Sequence, residues 1–159
     1  MEKIDIICVG TLKEKYMREL CAEYVKRMSR FCSLTVTELS ESRLPQSPSA
    51  GDISRALDKE CAAMLACAPH DAYKIAMCVE GAQFSSEKLA YTLDRCMTDC
   101  GKAVIFIGSS YGLSDTLKNA CDLRLSMSCM TFPHQLARCM LLEQLYRSYK
   151  IRRNETYHK

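Results

Sequence analysis

Three short segments place glycines and polar side chains directly after runs of apolar residues. They are Glu80-Gly81, Gly108–Gly112 and Met127–Phe132. Glycine lets a backbone approach a ligand closely and adopt positive φ angles. The second segment reads Gly-Ser-Ser-Tyr-Gly, which matches neither the Gly-x-Gly-x-x-Gly nor the Gly-Lys-Ser/Thr nucleotide fingerprint. On its own it indicates a tight turn more than a ligand site.

The last residues of the chain include an aromatic ring and a titratable ring. Tyr157 and His158 precede Lys159, at a position where a side chain has little core to enter. This tail is therefore either disordered or delivered to a site. An imidazole titrates near neutral pH, and a phenol ring can stack on a nucleobase. His134, next to Pro133, is expected instead to make a structural contact at the start of a helix.

The C-terminal segment is also the most basic part of the chain. Residues 134–159 contain six Lys or Arg and two Asp or Glu, whereas the whole chain has a net charge of +3. A localised basic end is typical of a protein that contacts a polyanion, and a solvated helix face is the alternative. The six cations are Arg138, Arg147, Lys150, Arg152, Arg153 and Lys159.

Length and composition indicate one globular domain spanning 1–159. Of its 159 residues, 48% are hydrophobic and 26% are charged. No apolar run approaches the roughly 20 residues that cross a bilayer. Glu2, Lys3 and Asp5 interrupt the short apolar stretch that a signal peptide would need. We therefore expect no membrane association and a cytoplasmic location.

The eleven cysteines do not indicate a disulfide scaffold or a metal site. Their number is odd, they are scattered, and no Cys-x-x-Cys pair occurs. Cys96 and Cys100 lie four residues apart, but no further cysteine pair or histidine accompanies them at zinc spacing. We expect reduced, buried thiols that fill the core as small apolar groups.

Short apolar runs alternate with segments of helical spacing. Strands are predicted at Ile4–Val9, Leu34–Leu39, Tyr73–Val79, Ala103–Ile107 and Leu123–Ser126. Helices are predicted over Leu12–Met28, Asp52–Cys67, Glu87–Thr98, Ser114–Asn119 and Pro133–Arg153, with a polar loop over 40–51. This alternation predicts an α/β fold, a parallel sheet with helices on both faces. In such sheets, ligands bind outside the carboxyl ends of the strands.

The long C-terminal helix carries apolar residues around most of its circumference. They are Leu136, Met140, Leu141, Leu142 and Leu145. Such a helix must be buried on several sides. We prefer a two-fold dimer as the explanation, with internal packing as the alternative.

Several segments of this chain resemble one enzyme family. They are Ile107-Gly108, Gly112-Leu113, Met130–Gln135, Glu143–Arg147 and Tyr157–Lys159. The chain resembles the RlmH family (ribosomal RNA large subunit methyltransferase H), SPOUT-class methyltransferases that act on the large ribosomal RNA. The resemblance covers the whole chain. It implies a C-terminal deep trefoil knot and a homodimer that binds S-adenosyl-L-methionine within the knotted loops.

The resemblance also implies an activity and its residues. The reaction would be methylation of N3 of pseudouridine 1915 of 23S rRNA in the assembled 70S ribosome, without a metal. The cofactor residues would be Met77, Gly108, Met127, Ser128, Cys129, Met130, Thr131 and Phe132. The catalytic residues would be His158 as proton acceptor, Arg147 facing the ring carbonyls and Tyr157 positioning the base, with the tail reaching across the dimer.

Two further expectations depend on the same resemblance. Arg138, Arg152 and Arg153 would bind RNA phosphates. Ser109 departs from the family pattern, in which a second glycine is usual, and its Cβ would disfavour a positive φ. This departure favours the first alternative function, a non-catalytic RNA- or ribosome-binding protein on the same knotted fold. The second alternative does not depend on the resemblance: a small α/β enzyme that uses Gly108–Gly112 for phosphate, such as a flavodoxin-like binder.

Overall fold

The computed structural model describes residues 1–159, in which five strands alternate with five helices. The strands are β1 (Lys3–Val9), β2 (Ser33–Leu39), β3 (Tyr73–Gln83), β4 (Lys102–Ile107) and β5 (Leu123–Ser126). The helices are α1 (Lys15–Met28), α2 (Ala50–Cys67), α3 (Ser86–Cys100), α4 (Asp115–Asn119) and α5 (His134–Arg152). None of the helices combines the length and the apolar composition that crossing a bilayer requires.

All five strands run parallel in one sheet, in the order β2-β1-β4-β3-β5. Strand β4 lies at the centre and pairs with β1 from Lys102 to Ile107. Because the strands are parallel, all five end at the same edge of the sheet, which we call the carboxyl edge. The predicted parallel sheet with flanking helices is thereby confirmed.

Alternate residues of the central strands face two separate hydrophobic clusters. Ile6 and Cys8 pack with residues of α1, α3 and α5 on one face of the sheet. Ile7 and Val9 pack with residues of α2 and α4 on the other face. Successive side chains of a strand point to opposite faces, so a strand buried on both sides is apolar throughout. The result is a helix–sheet–helix sandwich with the sheet in the middle.

Strand β3 is longer than predicted, because it resumes after an irregular segment. The sequence predicts that it ends at Glu80-Gly81, whereas it continues to Gln83. Its register with β5 shifts between Met77 and Ala82, and both of these residues pair with Leu125. The four residues between them form a bulge outside the ladder. They are available to line a pocket at the carboxyl edge.

Most helix boundaries lie within two residues of those predicted, but α1 begins at Lys15 rather than Leu12, and α2 begins at Ala50 with a different cap. The Ser49 hydroxyl accepts a hydrogen bond from the Asp52 backbone N–H, and the Asp52 carboxylate accepts one from the Ser49 N–H. This reciprocal capping box makes Ser49 the cap and moves Asp52 inside the helix. The Ser85 hydroxyl caps α3, and Gly101, at φ 67°, ends it.

Helix α5 is buried on several sides by its own chain. It packs against α1 and α3, and Leu141, Leu142 and Leu145 are completely inaccessible to solvent. Leu136 and Met140 are half-buried. Internal packing therefore accounts for most of the apolar surface that favoured a dimer, and this surface does not by itself require a second subunit.

All eleven cysteines are free thiols, and six of them lie in the core. Burial raises the pKa of the Cys8 thiol to about 11 and that of the Cys96 thiol to about 12. A thiol with so high a pKa stays protonated and behaves as a small apolar group. The expected role as core fillers is confirmed for the six buried cysteines, whereas Cys67, Cys100 and Cys129 are exposed. The six buried cysteines are Cys8, Cys21, Cys32, Cys61, Cys96 and Cys139.

Candidate functional site

A cavity of about 770 Å³ opens at the carboxyl edge of the sheet. Its volume lies within the range of small-molecule sites. The three segments singled out in the sequence meet in its wall: the β3 bulge, the loop Gly108–Gly112 after β4, and the segment Met127–Phe132 after β5. We call this cavity the carboxyl-edge pocket.

The loop after β4 is folded so tightly that only glycine fits at its start. A Cβ on Gly108 would lie 2.1 Å from the Gly112 carbonyl oxygen, far inside van der Waals contact. The Gly112 N–H donates to the Ser109 carbonyl oxygen at 2.9 Å, and Gly112 has a φ of +84°. Ser109 does not have a positive φ. Its Cβ is therefore accommodated, and the departure from the family pattern introduces no backbone strain.

The segment after β5 is held by two serine hydroxyls, and several of its backbone N–H groups remain free. The Ser126 hydroxyl donates to the Ser128 carbonyl oxygen at 2.9 Å, and the Ser128 hydroxyl accepts from the Met130 N–H at 3.1 Å. The backbone N–H groups of Met127, Thr131 and Phe132 donate to no group of the chain. Unpaired backbone groups beside apolar side chains suit a ligand that has both polar edges and a flat apolar face.

Seven of the eight predicted cofactor residues line this pocket. They are Met77, Gly108, Met127, Ser128, Met130, Thr131 and Phe132. Cys129 does not line it, because its side chain is directed to β3, where its sulfur accepts a hydrogen bond from Gln83 Nε2 at 2.8 Å. The cysteine therefore ties the segment to the end of β3 instead of facing the cavity.

The pocket also contains an ion pair that the sequence did not reveal. Lys118 of α4 bonds to Glu80 of the β3 bulge, and this hydrogen bond holds the pKa of the Glu80 carboxyl below its usual range. Both residues line the cavity. Gly81 lets the bulge lie against β5, because a Cβ there would be 2.8 Å from the Arg124 backbone. Glu80 had a sequence signal at a strand end, whereas Lys118 had none.

His134 lies in the pocket wall rather than serving only as a contact at the start of a helix. Its Nε2 is 3.5 Å from the position that a Cβ on Gly10 would occupy, so the ring also packs on the end of β1. The expected structural contact is present, and the pocket lining is additional.

The three predicted catalytic residues come together with two carboxylates. Arg147 Nη2 donates to Glu143 Oε1 at 2.5 Å, and this bond raises the pKa of the guanidinium. The Tyr157 hydroxyl donates to the same oxygen at 3.1 Å, and the guanidinium carbon of Arg147 lies 4.9 Å from the Tyr157 ring centre. Burial raises the pKa of the Tyr157 hydroxyl. We call Glu87, Glu143, Arg147, Tyr157 and His158 the tail cluster.

His158 is bonded on both ring nitrogens. Arg147 Nη1 lies 3.3 Å from Nδ1, and Glu87 Oε1 lies 2.6 Å from Nε2. A guanidinium only donates, so Nδ1 is the acceptor and the ring proton is on Nε2, where it is donated to Glu87. The pKa of Glu87 is lowered to about 2 by its own backbone N–H, by the Ser85 hydroxyl and by His158. The tail is thus ordered by charged partners rather than loose.

The tail cluster and the pocket are separate in one chain. None of Arg147, Tyr157 and His158 lines the cavity. Both sites border α5, the pocket at His134 and the tail cluster from Glu143 onward. Nine helical positions separate these residues, about 13 Å along the axis. The structure therefore brings the three residues together but does not bring them to the predicted cofactor residues.

The basic C-terminal segment is largely neutralised within the chain. Arg138 is 2% exposed, is paired with Glu38 and donates to the Gly10 carbonyl oxygen at 3.0 Å. Arg152 bonds to Glu2 and Asp94, each at 2.8 Å. The prediction that Arg138 and Arg152 bind RNA phosphates is therefore wrong. Arg153 is exposed and forms no ion pair.

No three His, Cys, Asp or Glu side chains of the chain lie close enough together to hold a metal ion.

Comparison with known proteins identifies the family. A family model described as "Predicted SPOUT methyltransferase" matches residues 2–158. "Ribosomal RNA large subunit methyltransferase H" of Clostridium novyi (strain NT) is 44% identical over 157 residues, which cover 98% of this chain and 99% of that protein. The proteins of the same name from Bacillus pumilus (strain SAFR-032) and Clostridioides difficile (strain 630) are 43% and 41% identical, with the same coverage. The chain belongs to the RlmH family of SPOUT methyltransferases.

Proposed function

We propose that this protein is an S-adenosyl-L-methionine-dependent methyltransferase of the large-subunit ribosomal RNA. Its target would be N3 of pseudouridine 1915 of 23S rRNA, in the assembled 70S ribosome and in the cytoplasm. One observation carries the proposal: in a chain of the RlmH family, three strand-end segments form a single large pocket at the carboxyl edge. The names of the relatives support ribosomal RNA as the substrate class.

The residues of the pocket fit the proposed cofactor. Met77, Met127 and Phe132 supply apolar surface for a flat ring, and the free N–H groups of the last segment can donate to its polar edge. Lys118 and Glu80 offer a cation and an anion to the charged amino-acid end. When bound, S-adenosyl-L-methionine supplies a methyl group on a cationic sulfur, which needs no metal.

A deep trefoil knot over roughly the last 80 residues is part of the proposal. Knotted chains are rare exceptions among folds. The proposal is supported by family membership and by the meeting of the β4 and β5 loops in one cavity.

The separation of the two sites in one chain supports a homodimer. The tail cluster lies about 13 Å along α5 from the pocket of its own chain. If the tail of one subunit meets the pocket of its partner, a two-fold axis makes the same contact twice, so both pockets are completed. We therefore propose a composite site, with the pocket from one subunit and Arg147, Tyr157 and His158 from its partner.

The proposed roles of the tail residues follow from their contacts. The acceptor nitrogen of the target base carries a proton that must leave before the nitrogen can attack. The Nδ1 lone pair of His158 faces Arg147. If Arg147 turned to a carbonyl oxygen of the base, it would stabilise the charge there and free Nδ1 to accept the proton. The Tyr157 ring, packed edge-on against Tyr146 at 5.0 Å, would support the base.

Subunit complementation tests the proposal. Gly108→Ala should disable the pocket and Arg147→Gln the tail, so each variant alone should fail to methylate ribosomes from a strain lacking this methyltransferase. Co-expression of the two should restore about a quarter of the wild-type activity, because half of the dimers are mixed and each has one intact composite site. Mass spectrometry of the 23S rRNA identifies the modified position. If even the wild-type protein failed to methylate these ribosomes, the proposed function would be refuted. If the wild type methylated them but the co-expressed variants did not, only the composite site would be refuted.

The non-catalytic alternative loses its main support. It depended on strain from a serine at position 109, and Ser109 has an unstrained φ. Calorimetry with S-adenosyl-L-methionine distinguishes the two functions, since a protein that only binds RNA would show no heat of binding.

A further inference from the structure

Four exposed cations lie where helices α1 and α5 end. Lys26 and Arg27 belong to the last turn of α1, Arg30 follows this helix, and Arg153 follows α5. Cations in a last helical turn stabilise the helix dipole. That explains Lys26 and Arg27 but not Arg30 and Arg153, which lie beyond the helices. We call these four residues the basic ledge.

Aromatic rings hold two of these cations in place. The guanidinium carbon of Arg27 lies 5.5 Å from the Tyr24 ring centre and 5.7 Å from that of Tyr146. The guanidinium carbon of Arg153 lies 4.7 Å from the Phe31 ring centre. The Phe31 and Tyr146 rings are themselves 5.9 Å apart. A guanidinium that rests on a ring has less freedom to lose when it binds an anion.

The basic ledge keeps a positive charge despite two nearby carboxylates. Glu23 bonds to Arg27 at 2.7 Å, but both side chains are half-exposed, and such surface pairs exchange easily. Glu155 is paired with Lys150, whose hydrogen bond is the main cause of its lowered pKa. Arg153 and Arg30 lower this pKa less. Arg30 and Arg153 form no ion pair. Their charges remain available to an external anion.

The basic ledge is continuous with the tail cluster. The Tyr146 ring, which supports Arg27, meets the Tyr157 ring edge-on at 5.0 Å. Tyr157 lies in turn under the guanidinium of Arg147. A chain of rings thus connects the exposed cations to the residues proposed to receive the target base.

We propose that the basic ledge binds the phosphate backbone of the RNA strand that carries the target base. This inference rests on the proposed function, because it takes the tail cluster as the place where the base is received. Ordered arginines beside aromatic rings suit a single-stranded or hairpin-loop RNA, whose phosphates and bases are both accessible. The basic ledge replaces the RNA-binding role that Arg138 and Arg152 were expected to have.

A matched pair of double variants tests the ledge. Arg30→Gln/Arg153→Gln removes two ledge charges. Arg43→Gln/Lys59→Gln removes two exposed charges elsewhere, one in the loop before α2 and one on α2. Binding to 70S ribosomes from a strain lacking this methyltransferase is measured between roughly 50 and 200 mM salt. The ledge variant should bind about tenfold more weakly at roughly 100 mM and reduce the salt slope by one to two. The control variant should retain the wild-type slope.

Each outcome decides between the ledge and the function. If both double variants lost ribosome affinity equally, only net charge would matter, and the ledge proposal would be overturned. An unchanged salt slope in the ledge variant, or no ribosome binding by the wild-type protein, would overturn it as well. Calorimetry with S-adenosyl-L-methionine should give the same affinity for all three proteins. A wild-type protein that transfers no methyl group but shows the ledge-dependent slope would refute the proposed function alone.

Discussion

The carboxyl-edge pocket and the tail cluster differ in how far their polar groups are already satisfied. In the pocket, backbone N–H groups after β5 have no partner in the chain, and the walls are largely apolar. In the tail cluster, Arg147 is bonded to Glu143, and His158 is bonded to both Arg147 and Glu87. A single chain therefore presents one site ready for a ligand and another that must exchange contacts before it acts.

The largest effect should come from disrupting the tight loop after β4, which forms one wall of the pocket. Gly108→Ala would put a Cβ 2.1 Å from the Gly112 carbonyl oxygen, so the loop would have to open. Affinity for S-adenosyl-L-methionine, measured by calorimetry, should fall by at least about 100-fold, which corresponds to about 2.7 kcal/mol. The tail cluster should remain intact, and thermal unfolding should show that the fold is retained.

Gly51→Ala is the matched control for that change. Gly51 lies in α2, and a Cβ there meets nothing closer than the flexible Arg55 side chain at 3.5 Å. This variant should bind the cofactor as the wild type does. An affinity of Gly108→Ala within threefold of wild type would show that the tight loop does not shape the pocket.

The tail cluster should respond to acid. The folded-state pKa of Glu87 is about 2, below its ordinary 4.5, so its ionised form stabilises the folded protein above pH 4.5. That contribution should be lost as the pH falls from 4.5 toward 2. Thermal unfolding between pH 7 and pH 3 should show a smaller loss of melting temperature in Glu87→Gln than in wild type. Asp58→Asn, on the exposed face of α2, is the control; equal losses in Glu87→Gln and wild type would contradict the prediction.

The smallest effect should come from restoring the usual glycine in the pocket loop. Ser109 has an ordinary φ, so Ser109→Gly relieves no strain. Affinity for S-adenosyl-L-methionine should change by less than about threefold. The free energy of unfolding should fall by up to about 1 kcal/mol, because glycine has more freedom in the unfolded chain. A large gain in affinity would mean that the serine side chain obstructs the ligand.

The sequence predicted those parts of the fold that local signals determine. Strand β5 has the predicted bounds Leu123–Ser126, since a short apolar run between turn signals defines it. The predicted end of β3 at Val79 was wrong, because the strand resumes after a bulge. That bulge depends on pairing with β5, about 48 positions further along the chain. Ser49 was missed as a helix cap because Asp52 is an equally good capping type three residues later.

Site residues were predictable only where a motif or a local pattern existed. The resemblance to the RlmH family named seven of the 21 residues that line the pocket. Lys118 had no signal, since its partner Glu80 lies 38 positions away. Arg138 and Arg152 looked like free cations because their partners Glu38 and Glu2 are 100 and 150 positions distant. Charge pairing across the fold cannot be read from local sequence.

The bulge in β3 allows the molecule to alter its pocket without disturbing its sheet. Leu125 is the partner of both Met77 and Ala82, so the strand is anchored on either side of the intervening residues. In a regular ladder, gaining or losing one residue turns every later side chain to the opposite face. Here such a change would be absorbed between the two anchors. The pocket wall that contains Glu80 can thus gain or lose residues while the side chains of β3 keep their alternation between the two faces of the sheet.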